Sequence, residues 1–188
     1  MLALSVYVNG VFSDPFCDDV MKLAANLPEE SGEVGDGVDG KVNKSIRRSK
    51  IKWISPNEDS GFIFASIERL FRDVNRDAFG LDIDTVPAIQ FTEYDAADEG
   101  MYDWHVDTSW TQQVMYHRKL SMTVQLSPSS SYEGGDLQFE NGAVLPVDLI
   151  RPRGTAIVFP SFVRHRVTPV TQGKRYSLVA WMEGPKFR

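Results

Sequence analysis

His105 and Asp107 stand two residues apart in the stretch MYDWHVDTSW, residues 101 to 110. If this stretch is a β-strand, residues two apart point to the same face, so the imidazole and the carboxylate can reach one point. A second run, VRHRV, alternates in the same way and places His165 on one face of its strand. These residue types and spacings predict a metal site made of two imidazoles and one carboxylate.

Such a ligand set has more than one use. With coordination positions left open it is the set that holds Fe(II) in non-haem oxygenases, and it also suits Zn(II) with an open site for water. A His-x-Asp pair has an ordinary alternative as well, a histidine hydrogen-bonded to a neighbouring aspartate on a strand surface. The third histidine, His117, has no acidic residue nearby in the sequence and precedes a basic pair, so we predict a solvated loop residue there.

Arg175, ten residues after His165, is a further candidate binding residue. In the run RYSLVAWM, the residues Arg175, Ser177 and Trp181 share one strand face, and both faces are largely apolar. A buried guanidinium is unfavourable unless an anion meets it. A dicarboxylate cosubstrate fits this requirement, because the guanidinium fork matches a carboxylate and Ser177 can donate a second hydrogen bond. An acidic residue of the protein is the alternative partner.

The spacing of apolar residues along the sequence predicts the helices and strands that position these side chains. One helix is predicted between Asp14 and Pro28, and an amphipathic helix from Ser60 to Gly80. From Val86 onward the period changes to two, in the runs AIQFTEY, LSMTVQL, GDLQF, TAIVFP, RHRVTPV and RYSLVAWM. Helices first and strands afterwards predict a mainly β (α+β) fold, a double-stranded β-helix or jelly roll over about 86–183, with the N-terminal helices packed on one sheet.

The segment between the two predicted helices is less regular. Residues 29–45 contain four glycines and no apolar period, which predicts a long loop, either a lid over a substrate or a tolerated insertion. The run IRRSKIKWIS then alternates as one strand.

Length and composition favour one domain spanning residues 1–188. The net charge of −6 disfavours a nucleic-acid surface, so a small-molecule or peptide substrate fits better. Cys17 is the single cysteine, which excludes a disulfide framework and is typical of a reducing compartment, so we expect the cytoplasm. No run approaches the roughly 20 apolar residues that cross a bilayer, so no membrane partner is expected.

The motifs WHVD and HRVTPVTQGKRYS resemble those of the iron- and 2-oxoglutarate-dependent dioxygenases, within them the prolyl hydroxylase group with its bacterial and phage PKHD-type members. SIRRSKIKWI, FTEY and YEGGDLQF resemble, in the same order, segments of the oxygen-sensing prolyl hydroxylases, so that the resemblance covers residues 43–183. It implies Fe(II), 2-oxoglutarate and dioxygen as reactants, with ascorbate as a stimulating reductant.

Carried onto this sequence, the resemblance implies that His105, Asp107 and His165 hold Fe(II), with no catalytic protein group beyond these ligands. It implies that the distal carboxylate of 2-oxoglutarate meets Arg175 and that the cosubstrate pocket also contains Ser177, Tyr94, Thr123 and Gln125. Gln125 stands where the family often has a larger or aromatic side chain. On the substrate side the resemblance implies Arg47 and Trp181. The aromatic composition adds a wall for a proline ring, formed by Trp104, Trp110, Tyr102 and Trp53.

The expected activity is therefore hydroxylation of a prolyl residue in a protein or peptide, with release of succinate and carbon dioxide, by a monomer or a dimer. Hydroxylation of a free amino acid or other small molecule is an alternative. So are a zinc hydrolase or cupin-like isomerase, a non-catalytic jelly-roll module, and an iron-dependent nucleic-acid demethylase that uses the basic patch around Arg47 and Arg48.

Overall fold

A computed structural model describes residues 4–33, 42–110, 115–140 and 145–187. The α-helices in these ranges are α1 (Asp14–Ala25), α2 (Gly61–Val74) and α3 (Val147–Ile150). Helix α1 begins after Ser13, whose hydroxyl accepts a hydrogen bond from the Phe16 N–H. Helix α2 continues into a π-helical turn that ends at Gly80, where a φ of 62° is a left-handed conformation that glycine adopts without strain. None of the described helices is long and apolar enough to cross a membrane.

The strands form two antiparallel sheets within the described ranges. Their bounds are β1 (Val6–Val8), β2 (Glu30–Ser31), β3 (Arg47–Arg48), β4 (Lys50–Ile54), β5 (Ile89–Asp95), β6 (Met101–His105), β7 (Tyr116–Gln125), β8 (Tyr132–Gly134), β9 (Leu137–Phe139), β10 (Ala156–Pro160), β11 (His165–Val167) and β12 (Val170–Pro185). The large sheet has the order β1-β10-β7-β12-β5-β4-β2, with β8 beside β12, and the small sheet has the order β3-β6-β11-β9. This strand-rich architecture confirms the predicted jelly roll with N-terminal helices.

The two faces of the large sheet contact different layers, because side chains alternate along a strand. On one face, Leu178, Ala180 and Met182 of β12 join the buried faces of α1 and α2 in the main hydrophobic core. The other face meets the small sheet, where Phe139 of β9 packs edge-on against Phe159 of β10 at 5.0 Å between ring centroids. The helices therefore cover one face of the large sheet, and the site lies on the other face.

Two segments differ from the prediction. The run predicted as one strand is two, because Arg47–Arg48 pairs with β6 in the small sheet whereas Lys50–Ile54 pairs with β5 in the large sheet. The chain thus changes sheets at Ser49. Of the predicted loop over 29–45, Glu30–Ser31 pairs with β4, and residues 34–41 lie outside the described residues.

Candidate active site and metal centre

His105, Asp107 and His165 converge between the two sheets. Their ligand atoms all lie within 4.8 Å of one another. Nε2 of His105 is 3.5 Å from Oδ1 of Asp107, and Nε2 of His165 is 3.6 Å from Oδ2 of the same carboxylate. The two histidines meet because they are direct partners in the register of β6 and β11. Asp107 lies beyond the end of β6, and its N–H donates to the carbonyl of Ser161 at 2.9 Å.

Both imidazoles are oriented by the main chain. Nδ1 of His105 is 2.7 Å from the carbonyl oxygen of Asp103, and Nδ1 of His165 is 2.9 Å from that of Val163. A carbonyl oxygen only accepts, so each Nδ1 carries the hydrogen, and in the neutral ring Nε2 presents a lone pair. This arrangement fixes the tautomer that metal-binding histidines require.

Ser121, which the sequence reasoning missed, holds the carboxylate, and Ser161, also missed, contacts Ser121. Ser121 of β7 donates to Oδ2 of Asp107 at 2.6 Å, and its hydroxyl is 2.9 Å from that of Ser161. Ser121 shares the strand face of Thr123, so extending the alternation of LSMTVQL by one step would have placed it in the site. Ser161 lies after β10, and no sequence signal marks it.

The charge state of the ligand set suits a cation. Burial opposes ionisation of Asp107, but the neighbouring imidazoles of His165 and His105 and the hydrogen bond from Ser121 outweigh it and hold the pKa of Asp107 below its usual range. Burial lowers the pKa of His165, which keeps its imidazole neutral. Neutral imidazoles and an ionised carboxylate are the protonation states in which these groups bind metal.

Tyr102 adds an aromatic wall beside the metal ligands. Its ring stacks on that of His105 with centroids 3.5 Å apart and planes 11° apart, and burial raises the pKa of Tyr102 to about 12. The register of β6 against β11 shifts between these two residues, so a bulge brings side chains three apart to the same cavity. The guanidinium of Arg47 lies 4.6 Å from the centroid of the Tyr102 ring.

A cavity of about 310 Å³ between the sheets is lined by the three ligand residues and by residues of β12 from Arg175 to Glu183. Among the described residues, four side chains have a buried polar atom without a hydrogen-bond partner. All four residues line this cavity. The atoms are Arg175 Nε, Ser177 Oγ, Trp181 Nε1 and His117 Nε2. Because burying an unpaired polar group is unfavourable, their concentration in one cavity indicates a bound polar molecule.

Arg175 occupies one end of the cavity and is 1% exposed. Its Nη2 donates to Oε1 of Gln125 at 3.0 Å, its Cζ lies 5.6 Å from the Tyr94 ring centroid, and its Nε is unpartnered. Within the described ranges no carboxylate forms a salt bridge with it, so the alternative of an internal acidic partner is not realised there. Tyr94 and Thr123 line the cavity as expected, whereas Gln125 is bonded to the guanidinium and does not line it.

The expected substrate-side residues divide into two groups. Arg47 and Trp181 line the cavity, with Trp53 packed against Trp181 at 6.1 Å between ring centroids. Arg118, which the sequence reasoning did not single out, places its guanidinium 4.0 Å from the Trp181 ring centroid.

Of the four aromatic residues expected to form a wall, Tyr102 and Trp53 line the cavity, whereas Trp104 and Trp110 do not. Trp104 lies under Arg164 and Arg166, because strand alternation turns it away from the neighbouring His105. Trp110 is 58% exposed and packs on His117 and Phe187.

The prediction of a solvated loop for His117 is wrong. It lies in β7, is 6% exposed and contacts Trp110 and Phe187. The basic pair after His117 suggested a solvated position. Its ring contacts come instead from Trp110 and from Phe187, 70 positions further along the chain, which the neighbouring residues do not reveal.

Comparison with known proteins identifies the family. A sequence model of the 2OG-Fe(II) oxygenase superfamily matches residues 89–183, just over half of the chain, and this range contains the three converging ligands and Arg175. The chain belongs to the 2OG-Fe(II) oxygenase superfamily. The dioxygenase predicted from the sequence is thereby confirmed.

Several relatives of this 2OG-Fe(II) oxygenase are PKHD-type hydroxylases. One from Hyphomonas neptunium is 28% identical over 170 residues, which is 88% of this chain and 73% of the relative. One from Synechococcus is 40% identical over 82 residues, 44% of this chain and 36% of the relative.

Solved structures share the fold of this oxygenase. The viral collagen prolyl hydroxylase of Paramecium Bursaria Chlorella virus-1 is 20% identical, with a TM-score of 0.68 and 97% of both chains covered. A Trichoplax adhaerens prolyl hydroxylase, solved with a hypoxia-inducible-factor peptide fragment, is 19% identical, with a TM-score of 0.72, and covers 95% of this chain and 83% of its own.

As a 2OG-Fe(II) oxygenase, the protein uses Fe(II), 2-oxoglutarate and dioxygen. The residues present fit these reactants: two imidazoles and a carboxylate converge, and an unpartnered guanidinium nitrogen and hydroxyl lie buried in the same cavity. When bound, the iron supplies the oxidative chemistry that hydroxylates an unactivated C–H bond, while the protein supplies geometry and excludes water.

Proposed function

We propose that this oxygenase hydroxylates a prolyl residue in a peptide or protein substrate. The observation that carries the proposal is the position of the unpartnered buried atoms on both sides of the metal ligands. One pair, Arg175 Nε and Ser177 Oγ, suits the cosubstrate, and the other pair lies toward an aromatic end formed by Trp53 and Trp181. The names of its relatives and fold neighbours, PKHD-type hydroxylases and prolyl hydroxylases, support the same substrate class.

In this proposal, His105, Asp107 and His165 hold Fe(II). Arg175 and Ser177 receive the distal carboxylate of 2-oxoglutarate, because a guanidinium fork and a hydroxyl supply donors that a carboxylate accepts. Tyr94 and Thr123 line this end. Gln125 positions the guanidinium through the bond to Nη2 and leaves Nε for the ligand.

The register of β12 and β7 separates the two ends. Ser177 pairs with Gln125 at the cosubstrate end, and Trp181 pairs with Ser121, the residue that holds Asp107. Arg175 and Trp181 are six residues apart, roughly 20 Å along a strand at about 3.3 Å per residue. The metal site thus lies near Trp181, and a substrate that reaches it enters from the side opposite Arg175.

The aromatic end suits a proline ring. Trp53 and Trp181 offer apolar ring surfaces, and the Arg118 guanidinium stacked on Trp181 keeps that indole in place. Arg47 is 8% exposed and donates to Gln90 Oε1 at 2.7 Å and to the Glu33 carbonyl at 3.1 Å, so it forms a fixed wall of the cavity.

The test is an assay of succinate formation with anaerobically purified protein, Fe(II), 2-oxoglutarate and a panel of proline-containing peptides. We expect one oxygen atom to be added to a proline of a turned-over peptide, as located by fragmentation mass spectrometry. Asp107→Ala should form no succinate. Arg175→Lys, which keeps the charge and loses the fork, should raise the KM for 2-oxoglutarate by about 10-fold or more.

Thermal unfolding of each variant separates loss of function from loss of fold. Equal succinate formation by all three proteins would contradict the assignment of the site. Turnover of 2-oxoglutarate that no peptide of the panel stimulates, or oxygen added to another residue type, would contradict the prolyl substrate while leaving the oxygenase intact.

A further inference from the structure

We infer that His117 and Trp181 form a subsite that donates hydrogen bonds to peptide carbonyl oxygens of the substrate. This inference rests on the proposed function and adds to it a residue that the metal and cosubstrate sites do not use. The two side chains supply the unpartnered buried atoms of the cavity that lie away from Arg175 and Ser177.

The hydrogen-bonding role of His117 follows from its neighbour in the C-terminal segment. The backbone N–H of Phe187 donates to Nδ1 of His117 at 3.2 Å. A backbone N–H can only donate, so Nδ1 carries the lone pair and Nε2 carries the hydrogen in the neutral ring. Burial, with Lys119 and Lys186 nearby, lowers the pKa of His117 and keeps the ring neutral. Nε2 is therefore a donor, and no described residue accepts from it.

The imidazole is fixed by its surroundings. The Trp110 ring meets it edge-on at 77°, with centroids 5.9 Å apart, and the Phe187 ring packs on it at 5.8 Å. With two aromatic contacts and one ring nitrogen bonded to the main chain, the ring keeps the tautomer described above. His117 thus presents a preorganised N–H rather than a mobile surface group.

Trp181 supplies the second donor. Its indole is 7% exposed, and the Arg118 guanidinium covers one face at 4.0 Å from the ring centroid. Indole Nε1–H can only donate, and it has no acceptor among the described residues. Glu183 also lines the cavity, but its carboxylate accepts from neither donor.

Two buried donors without acceptors call for a ligand rich in acceptors. A peptide backbone around proline has this character, because the proline nitrogen has no hydrogen while every carbonyl oxygen still accepts. The subsite therefore donates hydrogen bonds to the carbonyl oxygens that flank the target ring. A substrate without acceptor oxygens at these positions would leave the donors unpaired.

The test measures the Kd of a proline-containing peptide for the protein loaded with Fe(II) and 2-oxoglutarate in the absence of dioxygen. His117→Phe keeps an aromatic ring and removes the donor, and we expect it to weaken peptide binding by about 3- to 10-fold. His117→Gln can accept from Phe187 and still donate, so it should recover most of this loss. Trp104→Phe, on the outer face of the small sheet, is the matched control and should leave the Kd within about twofold.

A scan of the peptide sharpens the test. Each amide is replaced in turn by an ester, except the one at the proline nitrogen, which belongs to the ring. Each replacement weakens one carbonyl acceptor and removes one N–H. At the position read by His117, the ester should weaken binding to the unaltered protein and have little effect on His117→Phe, which is the coupling that a double-mutant cycle isolates. If His117→Phe does not fold, Trp181→Phe takes its place, since it lacks only the indole N–H and part of the ring.

Each outcome has a defined meaning. Equal Kd values for the unaltered protein and the donor-lacking variant, or equal ester losses in both, would overturn the subsite while the prolyl assignment stands. Failure of every peptide to bind the unaltered protein, when 2-oxoglutarate binds, would overturn the prolyl assignment and the subsite together. Coupling at one ester position would support the subsite and give the register of the peptide.

Discussion

The two faces of β12 differ in what their side chains meet. Ser177 and Leu178 are neighbours, and both are 0% exposed. Leu178 packs in the apolar core beneath the helices. Ser177, by contrast, ends in a hydroxyl without a hydrogen-bond partner among the described residues. One face of β12 therefore stabilises the fold and the other faces a ligand site. Solvent exposure is the same for these two residues, and the unpartnered polar atom is what distinguishes them.

The largest effect should come from the apolar face. Leu178→Ala removes buried methyl groups and leaves a cavity, so we expect a loss of about 2–5 kcal/mol in the free energy of unfolding, measured by urea denaturation. Val179→Ala, on the cavity face and only half-buried, is the control and should cost about 1 kcal/mol or less. A similar loss in both variants would remove the distinction between the faces.

A smaller effect is expected from the hydrogen bond that holds the carboxylate. Ser121→Ala removes the donor to Asp107 and should weaken binding of Fe(II), or of Mn(II) as a stable substitute, by about 10-fold or more in an anaerobic titration. Ser161→Ala leaves that donor in place and serves as the control. Metal affinity that is the same in both variants would show that Asp107 needs no support from Ser121.

The smallest effect is expected from a change at Ser177, the neighbour of Leu178. Ser177→Ala removes a hydroxyl that bonds no described group, so the free energy of unfolding should change by less than about 0.5 kcal/mol. The KM for 2-oxoglutarate should rise by about 3- to 10-fold, as measured by succinate formation at varied cosubstrate concentration. Lower stability with an unchanged KM would assign Ser177 to the core and contradict the comparison.

The sequence determined the parts of the site that depend on local period and residue type. Alternation in WHVD and RHRV placed the imidazoles, and the same alternation put Arg175 and Ser177 on one face of β12, because side-chain direction in a strand is a local property. The amphipathic period likewise identified α2 and the π-helical turn that follows it as far as Gly80. These assignments needed no knowledge of neighbouring strands.

Only the tertiary structure decided which groups meet across strands. The bulge that turns Tyr102 toward His105, the serines that hold Asp107, and the Phe187 N–H that fixes the tautomer of His117 all join segments distant in the chain. Trp110, aromatic and close to the ligands in sequence, lies outside the cavity for the same reason, because it packs on Phe187. A residue's type limits what it can bind, but its partners depend on register and packing, which many distant contacts set together.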